Sequence, residues 1–145
     1  MEKLNFNIVI DAAPEKVWKV LWNDDTYRKW TSAFAEGSHA ETDWKQGSKV
    51  LFLDGNGQGM VSKIAESRPN EFMSFEHLGE VKDGIEDTSS EKIKGWAGAH
   101  ENYTLKKVNG KTELSIDMDI NDEFKEMFAK IFPVALDNVK RLSEN

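Results

Sequence analysis

The stretch Thr112–Leu142, TELSIDMDINDEFKEMFAKIFPVALDNVKRL, changes its hydrophobic period midway. Leu114, Ile116, Met118 and Ile120 alternate with Glu113, Ser115, Asp117 and Asp119, which describes a strand with one apolar and one wet face. Beyond Asn121 the spacing turns helical. Phe124, Met127, Phe128, Ile131, Ala135, Val139 and Leu142 make one broad apolar stripe. Asn121 suits an N-cap, and Asp122 and Glu123 sit where the helix dipole favours anions. Pro133 interrupts the pattern. It deletes the hydrogen bond to the Ala129 carbonyl, costs on the order of 3 kcal/mol in a helix interior, and is expected to kink or split the helix. A sheet with a single apolar face must be covered, and this helix, from Asp122 to about Leu142, is the one element large enough.

Working backwards, Asn109-Gly110 is a strong hairpin signal, because both residues tolerate positive φ. Period-two segments recur at His39–Trp44, Lys49–Asp54, Gly59–Glu66, Glu71–Glu80, His100–Lys107 and Thr112–Ile120. Val81–Ala99 stands apart as a polar, acidic excursion that nonetheless holds Ile93 and Trp96. Long loops of this kind either carry function or simply cross the surface. At the start, Leu4, Phe6, Ile8 and Ile10 predict a first strand. Pro14 suits the first turn of a helix bearing Val17, Trp18, Leu21 and Trp22, and a second short helix is expected over Asp25–Trp30. The fold class is α+β: a curved antiparallel sheet of about seven strands wrapped around a long C-terminal helix. Two short helices after the first strand plug one open end, and residues 1–145 form a single domain.

Composition removes several classes of function. Of 145 residues, 39% are hydrophobic and 31% charged, with a formal net charge of -7. An acidic domain repels phosphate backbones, so nucleic acid and anionic membranes are not expected partners. No cysteine is present, hence no disulfide, thiolate metal site or cysteine nucleophile. No apolar run approaches the ~20 residues of a membrane span. The start lacks the basic and apolar regions of a secretion signal, so the expected location is the cytoplasm, with the Asn102-Tyr103-Thr104 sequon unglycosylated.

The run Asp11-Ala-Ala-Pro14-Glu-Lys-Val17-Trp18-Lys-Val-Leu21, followed by Trp30, resembles the opening signature of the SRPBCC superfamily, whose fold is the helix-grip, START-like or Bet v 1-like fold. Gly47-Ser-Lys-Val50-Leu-Phe52 and Gly59-Met-Val61-Ser-Lys-Ile64, followed by Pro69, are similar to the branch related to the C-terminal domain of the heat shock protein 90 ATPase activator. The resemblance spans essentially the whole chain. Its motifs are mostly packing and turn positions, so they imply the helix-grip fold, while function must be argued from a site. Because the likeness is to the C-terminal type of domain, it implies contact with heat shock protein 90 more than stimulation of its ATPase.

Catalytic and metal signatures are absent. There is no Gly-x-Ser-x-Gly, His-Glu-x-x-His or phosphate-binding Gly-x4-Gly-Lys. Asp54-Gly-Asn56-Gly-Gln58-Gly59 imitates a calcium loop. However, Gln58 and Ala65 stand where ligands belong and the flanks are strands, so it reads as a hairpin. No metal or cofactor is expected. His77 is the most informative of the three histidines. A register with Met73, Phe75 and His77 inward is preferred, since the opposite one buries Glu76 without a partner. An inward His77 can be a general base, a ligand donor or a hydrogen-bonded core residue. Glu101, Tyr103 and Leu105 form the inward row of the next strand, with Glu101 either paired to His77 or at the rim in water. His100, Asn102, Asp117 and Asp119 are expected to face solvent.

A strongly bent sheet gripping a bulky helix does not easily close-pack along its length, so an internal cavity is expected. Its walls would come from Trp30, Phe52, Met73, Phe75, His77, Tyr103, Phe128 and Phe132, and its occupant would be a small, mostly apolar molecule. Two other readings stay open. One is a co-chaperone-like module contacting heat shock protein 90. The other is a cyclase or dehydratase-type enzyme using His77 with Glu101 or Tyr103.

Overall fold

The alternation at Leu4–Ile10 becomes β1 (Glu2–Ile10) in a computed structural model that describes residues 1–145. Pro14 opens α1 (Pro14–Trp22), where its missing N–H is not needed. A single extended residue, Asn23, separates α1 from α2 (Asp24–Thr31). The following strands are β2 (His39–Glu41), β3 (Lys49–Leu53), β4 (Gly59–Arg68), β5 (Phe72–Lys82) and β6 (Ile85–Asp87). A four-residue α3 (Glu91–Lys94), β7 (His100–Val108), β8 (Lys111–Ile120) and α4 (Asp122–Glu144) complete the chain. All strand pairs are antiparallel, in the order β1-β8-β7-β5-β4-β3-β2, with β6 on β5. One curved sheet thus grips a long C-terminal helix, as expected.

Twenty-one buried residues form one hydrophobic cluster between sheet and helices. Leu114 and Ile116 from β8 meet Ala135, Leu136 and Val139 of α4 there, while Phe6 of β1 stacks on Phe132 at 4.9 Å between ring centroids. Side chains from Val17, Leu21 and Trp30 close one end of the cluster. The opposite sheet face is wet: Asn102 donates to Asp117, and Lys3 pairs with Asp119.

The sheet of about seven strands is met by one of eight, the unforeseen strand being β6. Several other expectations need correction. Asp83 and Gly84, with φ of 52° and 78°, turn β5 directly back into β6. Together with α3 and the fully buried Ile93, this makes Val81–Ala99 a folded excursion rather than a loop. β2 ends at Glu41, not Trp44; Trp44 has a φ of 62°, which no strand accommodates. Of the kink or split expected at Pro133, the split does not occur: α4 runs unbroken to Glu144 with Pro133 inside it. Nor is the apolar stripe buried along its whole length. Phe124 and Met127 are exposed, because the N-terminal half of α4 overhangs a space that the sheet leaves open, and burial is continuous only from Phe132 onward.

Candidate functional site

The space beneath that overhang is a cavity of about 290 Å³, bounded by α2, the inner face of β3, β4, β5 and β7, and the first half of α4. Two β-bulges decide which side chains enter it. In the β4–β5 ladder Val61 opposes Gly79 and Ser62 opposes His77, so Leu78 is an extra residue. A second extra residue, Ala65, lies between the Ile64–Phe75 and Glu66–Ser74 pairs. Bulges re-aim side chains, and here Ser62, Phe75 and His77 all end up buried.

A hydrogen-bonded chain crosses three strands at this level. Ser62 Oγ lies 2.7 Å from His77 Nδ1, and His77 Nε2 lies 3.2 Å from Glu101 Oε1. The Tyr103 hydroxyl donates to Glu101 Oε2 at 2.5 Å. The geometry follows from register. Ser62 and His77 are a cross-strand pair, Phe75 opposes Glu101, and Glu101 and Tyr103 are two apart on one face of β7. Of the two positions open for Glu101, the structure therefore shows the one paired to His77. His100 and Asn102 lie on the outer face and are only partly exposed, because they bond Asp119 and Asp117.

Seven of the eight expected wall residues line the cavity: Trp30, Phe52, Phe75, His77, Tyr103, Phe128 and Phe132. Met73 does not; it is buried deeper in the core. Trp22, Tyr27 and Phe34 were not expected there and complete a wall of nine aromatic rings. Trp22 sits at the centre of that wall, 5.0 Å from Tyr103, 5.1 Å from Trp44 and 5.4 Å from Phe75 between centroids. Its helical spacing from Trp18 was readable, but which of the two points inward depends on where α1 meets the sheet. A neighbouring pocket of about 380 Å³, reaching Trp96, Met118 and Phe124, shares Gly59, Met60, His77, Glu101, Met127 and Phe128 with the first. His77 and Glu101 thus stand where the two spaces meet.

Burial and the nearby Glu101 charge raise the pKa of both tyrosines, Tyr27 and Tyr103, above the ordinary phenol value. They are the only tyrosines in the chain. A folded-state value above the unfolded one means that the native state holds these protons more tightly. Their contribution to stability is complete below about pH 10 and is lost as pH rises through the folded values. Phenolate absorbance is therefore expected to stay flat past pH 10 and then rise in one step with loss of far-ultraviolet circular dichroism. Ordinary, gradual titration of either tyrosine in the folded protein would contradict the described burial.

No group of three or more His, Asp or Glu side chains is placed to hold a metal ion. No helix is long and apolar enough to cross a membrane. Chemically, the site offers a half-open apolar cleft with one imidazole, one carboxylate and one phenol in contact, a set able to orient a polar group or move a proton.

A family model described as activator of Hsp90 ATPase homolog 1-like protein matches residues 11–142. The chain is similar in fold to the solution structure of the Aha1 dimer from Colwellia psychrerythraea, at 22% identity, covering 99% of this chain and 97% of that one, with a TM-score of 0.70. Protein CV1439 from Chromobacterium violaceum is 19% identical over 99% of this chain and 97% of its own, with a TM-score of 0.71. CalU16 from Micromonospora echinospora is 13% identical over 97% of this chain and 75% of its own, with a TM-score of 0.68. No curated protein matches the sequence.

Proposed function

The chain belongs to the activator of Hsp90 ATPase homolog 1-like family, and from that footing we propose that it binds a small, mostly apolar molecule between the curved sheet and α4. The observation that carries this reading is the cavity itself: about 290 Å³, walled by nine aromatic rings, with the His77–Glu101–Tyr103 group in its lining. A close-packed core has no use for such a space. Burying ~250 Å² of apolar ligand surface would supply roughly 6 kcal/mol at about 25 cal/mol per Å². Before the costs of association that corresponds to a Kd on the order of tens of micromolar, and after them to roughly millimolar binding or weaker unless polar contacts add to it.

Native mass spectrometry of freshly purified protein, compared with the denatured mass, tests the proposal. A reproducible small-molecule adduct is expected, as is a change in tryptophan emission on titration with a naphthyl probe. Protein that carries no adduct and does not respond to the probe overturns it.

The match over residues 11–142 also supports a second reading, contact with heat shock protein 90 in the cytoplasm. Co-precipitation with the cognate chaperone is expected on this reading, and its absence retires it without touching the first.

A further inference from the structure

The charge balance of the cavity narrows the class of ligand. Its lining holds two carboxylates, Asp54 and Glu101, and one imidazole, His77, but no lysine or arginine. The protonation of that imidazole follows from its hydrogen bonds. Ser62 is fully buried, and its one side-chain hydrogen bond is to His77 Nδ1. A neutral ring with its proton on Nε2 satisfies every group: the Ser62 hydroxyl donates to Nδ1, and Nε2–H donates to Glu101 Oε1. An imidazolium would turn Nδ1 into a donor and leave the buried Ser62 proton without an acceptor, an expensive arrangement. The tautomer is thus assigned from the hydrogen-bond network.

The chain from Ser62 to Tyr103 then carries one negative charge, on Glu101. That carboxylate uses two of its roughly four acceptor positions on His77 and Tyr103. It keeps 18% of its side chain exposed, so the remaining positions can be reached from the cavity. A carboxylate with free acceptor positions and no lysine or arginine beside it in the lining repels an anion and attracts a cation.

Resting on the small-molecule reading above, we infer that the cavity takes a protonated amine on an apolar, ring-sized body, with its N–H groups directed at Glu101 and the body against the half-buried rings of Phe34, Phe52 and Phe128. The carboxylate selects the charge and the rings select the body.

Three probes of one shape test this: 1-naphthylmethylammonium, 1-naphthylmethanol and 1-naphthoate, titrated calorimetrically into the full chain at neutral pH. The amine is expected to bind at least about tenfold more tightly than the alcohol, the step that one charge-assisted hydrogen bond supplies, with the carboxylate weakest. Glu101→Gln is expected to bring the amine down to the alcohol and leave the alcohol within about twofold. Equal affinities, or a preference for naphthoate, overturn the amine assignment while the binding reading stands. Failure of all three probes overturns both. Should Glu101→Gln not fold, as judged by circular dichroism, the series on the unaltered protein decides alone.

Discussion

Trp30→Ala will lower the free energy of unfolding by about 3–5 kcal/mol, the range for removing a large buried aromatic side chain. Trp30 is only 2% exposed and belongs to the main core cluster. Its ring meets Tyr27 edge-on at 5.4 Å and Phe34 and Tyr103 at 6.4 Å between centroids. Its Nε1–H donates to the Leu21 carbonyl at 3.0 Å, near the end of α1. Alanine would remove the packing and also leave that buried carbonyl without its partner. Domains are stable by only about 5–15 kcal/mol, so the loss is a large share of the whole. Urea denaturation is the check: the midpoint should fall sharply with little change in slope. A loss under about 1 kcal/mol would mean that Trp30 does not hold α2 to the sheet.

Gly59→Ala should be nearly as damaging, for a different reason. A Cβ on Gly59 would stand 1.7 Å from the Phe52 carbonyl oxygen and 3.0 Å from Leu53 Cα. Both obstacles are backbone, so the β3–β4 hairpin must move rather than a side chain rotate. We expect about 3 kcal/mol of destabilisation, the upper end for overpacking. Because Gly59 and Phe52 both line the cavity, naphthyl-probe binding should weaken in parallel. An alanine variant with unchanged midpoint and unchanged binding would show that the close approach is not maintained.

Periodicity made the frame legible. β8 and α4 could be read because their apolar residues recur over many positions, and Asn109-Gly110 takes the positive φ values that its residue types favour. Asp83-Gly84 sends the same local signal with nearly the same angles, yet the strand it starts has three residues, too few for alternation to show. The inward faces of β5 and β7 were likewise readable, and they placed Phe75, His77 and Tyr103. Depth along a strand was not. Met73 and Phe75 share a face, but only Phe75 reaches the cavity, and whether Glu101 meets His77 depends on the pairing of β5 with β7. Exposure of Phe124 and Met127 was hidden for a related reason: a helical stripe says which side is apolar and nothing about where the sheet beneath it stops.

The pairing of β1 with β8 sets the order in which the polypeptide can mature. Glu2 opposes Ile120, Lys140 reaches the Val9 carbonyl, and the Asp11 amide is capped by Glu144. A nascent chain therefore displays β1 without its neighbour until β8 has been made, a highly non-local assembly of the sort that folds slowly. During that interval the apolar side of the growing sheet and its unpaired edge are open to aggregation.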